Sequence, residues 1–593
     1  MRGLVAIVAL EPGARIDQRE VEGLATAYES LRGGREREEA SAPDRVHAIL
    51  LGRKGEDSAI TRHGTSWAAV AGRAYGASIP GAPLEDLDGQ FALVAFDGDR
   101  DRITVATDPF GLQSLYISRR NGRLYASTSC LALAKHLRSR PDRFGLEVFL
   151  RAGYHFGSRT SWEGIERLEP GECLTVGPDG SSQRRYWQPA VDEDIRHLGF
   201  RETVAHCLEI AAETYGRYFA DRGGTWIDLT GGYDTRLLAL ELAGEGTTFA
   251  ANTRGDPDGG DRRLAHELAR AAGWELLDLT TRPSWNQQLP DMLPVALAWG
   301  DGNLEVLELS WVLSAHAELA RRQRSLLIAG GGEHYRGFAW RQEFLAAGKS
   351  NRVKMDNWLD MRLLHPMDTG LFAADPTNAA RSDFETRMST WAEPYAEEPN
   401  TTQLDVMYAY KMTGHFGAYL SADGAFLDSE LPFYFRPIFS AAFSSPHAHR
   451  DNHRLMRHMM WHLDPRLASV STTTGGPAIP WRPTNLHRFV PYYGQLAHKA
   501  LNKMSQRSIG RQLLPLPPQD FYCPANARRA AMNFVARDGE LRADSLRSAP
   551  LFDRRGLDAL LERASAPGFE ETAILGRVLT VELALRALDT GLE

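Results

Sequence analysis

The chain has 593 residues, of which 43% are hydrophobic and 24% are charged, so it is long enough for two or more domains with separate cores. Its formal net charge of −8 provides no basic footprint for nucleic acid, and no apolar run approaches the roughly 18 residues of a membrane span. The four cysteines lie far apart without a CxxC pair, which favours a reducing cytoplasm over a disulfide scaffold or a zinc site.

Short strand patterns separated by turn residues dominate residues 1–187. The segments LVAIVAL, HAILLG, FALVAFDG, ITVATD and SLYISRR are rich in branched and aromatic residues, which are typical of β-strands. Residues 21–31 form the clearest helical pattern. The sequence therefore predicts a first domain over residues 1–187 that consists mainly of β-strands.

Several motifs in this domain occur in a recognisable order. Residues 87–129 begin with LDGQFALVAFD and continue through TDPFGLQSLY to YAS, and residues 162–187 contain GIERLEPG and end in Tyr-Trp. These segments resemble the glutaminase-type N-terminal domain of asparagine synthetases, with its LDGxFAxxxxD, RDxxGxxPLY and FAS strings. The resemblance implies an α/β fold, an αββα Ntn-hydrolase-like layered domain of the class II amidotransferase type.

The start of the chain departs from that family. Glutamine-hydrolysing members begin Met-Cys-Gly-Ile and use the cysteine as nucleophile, whereas this chain begins Met1, Arg2, Gly3 and Leu4. Thr107 replaces the family arginine that precedes the aspartate, and residues 72–76, GRAYG, lie near the position of a glutamine-holding loop. We expect a domain that keeps its fold without hydrolysing glutamine; the alternative is an upstream cysteine hidden by a misassigned start codon.

Residues 188–199 have the composition of a linker, and residues 200–593 form the second predicted domain. A helix over residues 200–219 precedes the segment TWIDLTGGYDTRLLAL at residues 225–240, which reads as a strand, a glycine turn and a helix start. Glycines allow a ligand to approach the backbone closely, and the first N–H groups of a helix attract anions. This turn is a candidate anion site, formed by Thr230, Gly231, Gly232, Asp234 and Thr235.

The string TGGYDT resembles the SGGxDS pyrophosphate loop of asparagine synthetases and of N-type ATP pyrophosphatases. The resemblance implies a doubly wound parallel sheet with many helices, ATP bound by the loop, and Mg²⁺ held by Asp234. A second strand is predicted at residues 248–252, followed by a helix over residues 262–272 that Asp261 can cap. The family position for adenine and ribose falls on Asn252 and Thr253.

A second glycine-rich turn follows the strand pattern in SLLIAGGGEHYRGF, residues 325–338. It resembles the LSGxGxDExFxGY segment of the same family, in which an acidic residue completes the Mg²⁺ site. Gly332 stands in place of the family aspartate, so Glu333 is the predicted second metal ligand, and Gly331 is a predicted contact of the nucleotide. The alternative is that these glycines only allow tight packing.

The family also uses a late lysine as a cation over the phosphates. Lysine is scarce in this chain, and Lys499 and Lys503 are the late candidates for a catalytic role, with Arg482 as a substitute. Each of them taken alone fits a surface residue better than a catalytic one. Asp234 is the remaining predicted catalytic residue.

These resemblances imply an ATP-dependent, AMP-forming ligase that activates a small-molecule or peptide carboxylate and joins it to ammonia or an amine. Relatives without the cysteine include β-lactam synthetases and lasso-peptide macrolactam cyclases, so an intramolecular ligase of natural product biosynthesis is the first alternative. An inactive nucleotide-binding or partner-binding pseudoenzyme is the second. Neither nucleic acid nor membrane is an expected partner, and a homodimer or a pathway partner protein stays open.

Overall fold

The first part of the chain folds into two antiparallel sheets and three helices. The residues that the computed structural model describes are 3–11, 14–34, 36–52, 59–155, 157–220, 222–255, 259–280, 283–340, 350, 352–362, 369–374, 377–509, 524–537, 541–566 and 568–592. The strands are β1 Gly3–Ala9, β2 Arg37–Ala42, β3 Val46–Leu51, β4 Ala59–His63, β5 Ser66–Gly76, β6 Leu87–Asp97, β7 Arg102–Thr107, β8 Tyr116–Arg120, β9 Arg123–Ser127, β10 Glu166–Arg167, β11 Glu172–Gly177 and β12 Gly180–Arg185. The helices are α1 Gln18–Arg32, α2 Cys130–Leu137 and α3 Arg143–Ala152.

The two sheets pack face to face with a shared core. One has the strand order β10-β8-β9-β1-β3-β2 and the other has the order β12-β11-β7-β6-β5-β4. Leu4 and Ala6 of β1 share a buried cluster with Val94 of the second sheet, whereas Val5 packs with Leu24 of α1 on the opposite face. Because both faces of β1 are covered, its sequence is a continuous apolar run rather than an alternating one.

The predicted fourth layer differs from the structure. Helices α1 and α2 cover the outer face of the first sheet. On the outer face of the second sheet, the described apolar cluster consists of strand residues, Leu84 of a short 3-10 turn and Tyr186 just after β12, and it contains no residue of an α-helix. The second half of the chain reaches this side instead, because the Tyr218 hydroxyl donates to Asp88 Oδ2 at 2.8 Å. The second helical layer expected from the αββα resemblance is therefore not formed by described residues of this domain.

The second half contains a parallel five-stranded sheet. Its strands are β13 Thr225–Asp228, β14 Phe249–Gly255, β15 Leu276–Thr280, β16 Ser325–Leu327 and β17 Asp428–Glu430. The order is β15-β14-β13-β16-β17, and every pair is parallel, so the sheet is doubly wound with its switch point between β13 and β16. Trp226 and Ile227 of β13 face different buried clusters, so this short strand is covered on both sides.

Helices surround this sheet. Their bounds are α4 Glu193–Arg196, α5 Phe200–Tyr218, α6 Tyr233–Gly244, α7 Gly260–Ala272, α8 Pro283–Trp299, α9 Val306–Leu319, α10 Met355–Arg362, α11 Thr377–Ala392, α12 Asn400–Asp423, α13 Arg436–Ser444, α14 His447–Arg450, α15 Arg454–Leu463, α16 Pro465–Ala468, α17 Val490–Ile509, α18 Ala525–Ala536, α19 Arg554–Ala564 and α20 Thr572–Ala587. Within the described residues, none of these helices is both long enough and apolar enough to cross a bilayer. The expected linker contains α4, and the Asp192 N–H donates to the Ser444 hydroxyl at 2.9 Å.

The two halves share buried polar contacts. Asp301, from the second half, accepts hydrogen bonds from the N–H groups of Cys130 at 2.6 Å and Leu131 at 3.1 Å. A carboxylate at this position satisfies N–H groups that the first turn of α2 leaves without helical partners. A residue of the second half therefore completes the start of a helix in the first domain.

Candidate functional site

The predicted anion loop lies at the switch point of the parallel sheet. It follows β13, and α6 begins at Tyr233 with Gly232 as its N-cap. Asp234 and Thr235 therefore belong to the first turn of the helix. The second glycine turn follows β16, the neighbouring strand, and leads into a 3-10 helix at Gly332–Arg336. The structure brings the two turns together at the carboxyl edge of the sheet, where open α/β sheets bind ligands.

Three N–H groups of the loop donate to oxygen acceptors within the protein. The Thr230 N–H donates to the Thr235 hydroxyl at 3.2 Å, and the Gly232 N–H donates to the Thr230 hydroxyl at 3.0 Å. The Gly231 N–H donates to Asp261 Oδ1 at 2.9 Å. The expectation that Asp261 caps α7 is wrong, because Gly259 is the N-cap and Asp261 bonds the loop instead. A carboxylate oxygen on Gly231 demonstrates that this N–H can bind an anionic acceptor.

Asp234 faces a guanidinium and a second carboxylate. Arg336 Nη2 lies 2.8 Å from Asp234 Oδ2 and 3.6 Å from Glu333 Oε1. Burial raises the pKa of Asp234 to about 7, opposed by Arg336 and reinforced by Glu333. Its other oxygen, Oδ1, is buried without a hydrogen-bond partner. An oxygen in that state is an available ligand for a cation.

Glycines allow the close approach of the two turns. A Cβ atom on Gly332 would lie 2.5 Å from Asp234 Oδ1, so only glycine fits at this position without displacement of the carboxylate. Gly331 has a φ of 98°, in the left-handed region that favours glycine, and its N–H donates to Glu333 Oε2 at 3.1 Å. The glycine at position 332 thus makes room for the Asp234 carboxylate.

Asn252 lies beside the loop at the end of the strand pairing of β14 with β13. Its side chain is fully buried, and its amide group donates to the Ile227 carbonyl at 3.0 Å. Its backbone carbonyl accepts from the Leu229 N–H at 2.8 Å. The side-chain oxygens of Asn252 and Thr253 are buried without hydrogen-bond partners. These two oxygens are therefore polar groups available at the same sheet edge.

A third turn, residues 471–476, contacts the loop and was not predicted as part of the site. The Thr473 N–H donates to the Gly231 carbonyl at 3.1 Å. Buried Arg236 of α6 fixes the start of this turn, because its guanidinium donates to the carbonyl groups of Val470 and Ser471, both at 2.7 Å. The sequence STTTGGP has the hydroxyl and glycine content of a polar turn, but nothing in it indicates this long-range contact.

The roles of the predicted catalytic lysines stay predictions. Lys499 and Lys503 lie on α17, and their side chains are outside the described residues. Arg482 is exposed and stacks at 6.0 Å from the Trp461 ring centroid. Arg336 is the cation that contacts Asp234, and sequence reasoning missed it. Its pKa is raised despite burial, because Asp234 and Glu333 lie beside it.

Two carboxylates therefore converge at the predicted metal site. Among the described residues, no group of three or more histidine, cysteine, aspartate or glutamate side chains could hold a metal ion. A Mg²⁺ ion bound by one or two carboxylates, with phosphate and water as its other ligands, needs no such group. Asp234 and Glu333 fit that ligand set, and the buried Oδ1 of Asp234 supports it.

In the first domain, the start of β1 is closely packed against α1. Arg2 lies outside the described residues, but a Cβ atom on Gly3 would lie 1.9 Å from the Tyr28 hydroxyl oxygen. Thr107 is fully buried and its hydroxyl donates to the Gln113 carbonyl at 3.0 Å, so it serves the turn. In the GRAYG segment, the Tyr75 hydroxyl donates to Glu430 Oε1 at 2.9 Å. That segment contacts the second half of the chain.

Comparison with known proteins gives matches in the first part of the chain. Residues 70–187 match the family described as glutamine amidotransferase domain. The amidase chyE of Penicillium rubens is 27% identical over 121 residues, which cover 19% of this chain and 17% of that protein. The chain thus matches less than a fifth of this curated relative's length. The protein contains a glutamine amidotransferase-like domain in its first part.

Two solved structures are similar at low identity. Glutamine phosphoribosylpyrophosphate amidotransferase from B. subtilis, complexed with ADP and GMP, is 14% identical with a TM-score of 0.22, and the match covers 48% of this chain and 70% of that one. A structure described as the allosteric regulatory enzyme of purine biosynthesis is 12% identical, also with a TM-score of 0.22, covering 48% and 76%. At these scores neither likeness carries an argument.

Proposed function

We propose that the protein is an ATP-dependent ligase that forms an amide bond and releases AMP. The observation that carries the proposal is Asp234 at the switch point, where its unpaired Oδ1 lies between the glycine loop and the turn that carries Glu333. The amidotransferase-like domain and the amidase relative support amide chemistry in general. An asparagine synthetase-type reaction is the specific form of that chemistry which fits this site.

The loop would bind the pyrophosphate part of ATP. The N–H groups of Gly231 and Gly232 already donate to oxygens, of Asp261 and Thr230, and phosphate oxygens would take over these bonds. The first turn of α6 adds the positive end of the helix dipole. The loop residues thereby orient the α-phosphorus toward an incoming carboxylate.

Asp234 and Glu333 would hold Mg²⁺, which when bound neutralises part of the phosphate charge. Arg336 would then lose its ion pair with Asp234, because Mg²⁺ and the guanidinium compete for the same carboxylate. A guanidinium released at this point can bind phosphate oxygens instead. Arg336 is thus a second candidate, beside Lys499 and Lys503, for the cation that stabilises the transition state.

The proposed reaction has two steps. A substrate carboxylate oxygen attacks the α-phosphorus and expels pyrophosphate, which gives an acyl-adenylate. An amine or ammonia then attacks the acyl carbon and expels AMP, losing a proton as the amide forms. Arg2 stands where glutamine-hydrolysing members of the resembled family have the cysteine that releases ammonia. The nitrogen therefore comes from free ammonia or from an amine, which in an intramolecular ligase belongs to the substrate.

A nucleotide-binding protein without catalysis is the second candidate. It is favoured by the contact of Arg336 with Asp234, because a guanidinium on the metal ligand stabilises the site without a metal. It is also consistent with the internal hydrogen bonds of the loop N–H groups.

Exchange of labelled pyrophosphate into ATP separates the two candidates. The protein is incubated with ATP, Mg²⁺ and a broad panel of carboxylates, and exchange is measured for wild type and Asp234→Asn. We expect exchange with at least one acid and its loss in Asp234→Asn. Asp544→Asn, at an exposed ion pair with Arg554, is the matched control and should exchange like wild type. Absence of exchange across the whole panel contradicts the ligase and leaves the non-catalytic binder.

A further inference from the structure

A chain of charged side chains lies between the parallel sheet and helices α9 and α12. Arg254 of β14 is its centre, because Arg254 Nη2 lies 2.9 Å from Asp228 Oδ2 and Nη1 lies 2.6 Å from His316 Nε2. His316 Nδ1 in turn lies 3.0 Å from Asp423 Oδ1. We call these four residues the Arg254 cluster. Its surroundings are apolar, since Trp226 on the same face of β13 shares an apolar cluster with side chains of α9.

The Arg254 cluster has more hydrogen-bond acceptors than donors. Both oxygens of Asp423 and the Oδ1 atom of Asp228 are buried without hydrogen-bond partners. The 3.0 Å contact between Asp423 and His316 lies outside hydrogen-bond geometry, and His316 Nδ1 is likewise without a partner. Buried acceptors in this state cost free energy, so a ligand that donates hydrogen bonds would be stabilised here.

Asn252 adds a further acceptor from the sheet itself. It pairs in register with Asp228 and stands two residues before Arg254 on β14, so the three side chains lie on one face of the sheet. Asn252 is fully buried, and its amide nitrogen donates to the Ile227 carbonyl, whereas its Oδ1 atom has no partner. This oxygen does not belong to the charged chain, and it indicates independently that a hydrogen-bond donor fits on this face.

The charge of the cluster favours a cation. Asp228 and Asp423 have only one guanidinium near them, because His316 accepts from Arg254 at Nε2 and is therefore neutral. Glu308 of α9 adds a carboxyl group whose pKa is raised by burial, and Arg254 opposes that rise. Carboxyl groups in excess over cations attract a further positive charge. Because no group of three or more His, Cys, Asp or Glu side chains in the described part of the chain could hold a metal ion, the fitting cation is an N–H donor.

Solvent reaches the cluster past Arg254. The Arg254 side chain is 33% exposed, whereas that of Asp228 is 14% exposed. A ligand needs no separate cavity, because it can take the place of the guanidinium on Asp228. Asp228 precedes Thr230 by two residues, which span at most about 7 Å of extended chain. A ligand on Asp228 would therefore lie beside the glycine loop.

We propose that the Arg254 cluster binds the ammonium group of the nitrogen donor, which displaces the Arg254 guanidinium from Asp228. An ammonium group is compact and has at least three N–H bonds, which can reach the Oδ1 atoms of Asp228 and Asn252. The role of this binding rests on the proposed ligase, because the bound nitrogen gives one proton to solvent and then attacks the acyl-adenylate. Ammonium ion and the ammonium group of an organic amine share this chemistry.

The binding test measures thermal unfolding of the full chain in ethylammonium, ammonium and tetramethylammonium chloride at equal ionic strength. Tetramethylammonium has the same charge without an N–H bond, so we expect Tm to rise with ethylammonium or ammonium and not with tetramethylammonium. Saturation at a lower concentration of ethylammonium identifies an organic amine as the nitrogen donor, whereas saturation at a lower concentration of ammonium identifies ammonia. Equal curves for the three salts, or no rise with either N–H donor, overturn the proposal.

Substitutions locate the binding. Asp228→Asn should raise the half-saturating concentration about tenfold, because a neutral amide replaces the charged acceptor. Glu308→Gln should also raise it, which keeps the test valid if Asp228→Asn fails to fold. Arg254→Gln should lower it by removing the competing cation; a tenfold rise would assign the cluster to an anion and overturn the proposal. Asp278→Asn, at an ion pair with Arg262 on the neighbouring strand β15, is the matched control and should behave like wild type.

Kinetics separate this inference from the ligase proposal. Once pyrophosphate exchange has identified a carboxylate substrate, Asp228→Asn should keep that exchange, because adenylation does not involve the nitrogen donor. The same variant should raise KM for the nitrogen donor about tenfold. An unchanged KM overturns the inference. An absence of exchange in wild type contradicts the ligase instead, and thermal unfolding then decides whether the cluster binds an ammonium group.

Discussion

Two buried aspartates, one in each half of the chain, have similar acidity and different surroundings. Burial raises the pKa of Asp108 to about 7, and burial does the same to Asp234. Asp108 accepts hydrogen bonds from the N–H groups of Phe91, Phe110, Leu112 and Gln113 at 2.7 to 3.3 Å. Asp234 has a bond to Arg336 through one oxygen and no partner at the other.

The difference shows that a shifted pKa does not by itself identify a functional carboxylate. Asp108 uses its oxygens to satisfy the N–H groups of the turn that joins β7 to β8, so it stabilises the fold. Asp234 has one buried oxygen, Oδ1, without a hydrogen-bond partner in the protein. Such an oxygen costs free energy unless a ligand uses it.

Replacement of Asp108 should have the largest effect on stability. Asp108→Ala leaves four buried N–H groups without this acceptor, three in the turn and that of Phe91 in β6, and each such group costs about 1–3 kcal/mol. We expect the free energy of unfolding in urea to fall by about 4 kcal/mol or more, or the protein to fail to fold. Asp108→Asn keeps one acceptor oxygen and should lose less. A loss below about 1 kcal/mol in Asp108→Ala would contradict a structural role.

Removal of Arg336 should have the next largest effect. Arg336→Gln leaves Asp234 and Glu333 without their shared cation, so stability at neutral pH should fall by about 1–3 kcal/mol. Because the guanidinium lowers the pKa of Asp234, that pKa should rise above about 7 in the variant. Urea unfolding with and without Mg²⁺ checks the account, since Mg²⁺ should restore part of the loss. An unchanged stability would mean that the ion pair has no energetic role.

The space beside Asp234 can be tested with a single methyl group. Gly332→Ala places a Cβ atom against Asp234, so we expect pyrophosphate exchange to fall about tenfold or more, with about 1–2 kcal/mol lost in stability. Gly216→Ala is the matched control, because a Cβ there meets nothing within 4 Å and a helical alanine is favourable. Equal exchange in the two variants would remove the argument from close approach.

The pH dependence of stability tests the protonation state of Asp234. Because the pKa of Asp234 is raised to about 7, the folded chain holds more protons than the unfolded chain between about pH 4 and 7. This residue therefore makes stability fall as pH rises through that range. Asp234→Asn should show a shallower fall, although Asp108 and Glu241, with pKa values raised to about 7 and about 8, keep part of it. An identical slope in wild type and variant would contradict the buried, poorly satisfied state of Asp234.

The sequence predicted the local features of the second half well. The strand, glycine turn and helix start over residues 225–240 are confirmed, and the order of the parallel strands is the doubly wound order expected. Periodicity and turn residues carry this information locally. The same signals predicted many strands in the first domain, but they could not indicate that the second half of the chain would cover its outer sheet.

The long-range contacts of the site were not predictable. Asp261 reads locally as a helix cap, and its bond to the Gly231 N–H depends on how α7 packs against the loop. Arg336 and Thr473 reach the loop from turns about 100 and 240 residues away in the sequence, and their local patterns do not indicate this. The roles of Lys499 and Lys503 stay predictions, as do ATP, Mg²⁺ and the substrate.

Calorimetric titration with α,β-methylene-ATP tests the central claim most directly. The account predicts that wild type binds this analogue in the presence of Mg²⁺ and much more weakly after chelation. Asp234→Asn should bind weakly in both conditions, because the oxygen that completes the metal site is lost. Binding that depends on neither Mg²⁺ nor the substitution, or an absence of binding by wild type, would contradict a nucleotide site at residues 230–235.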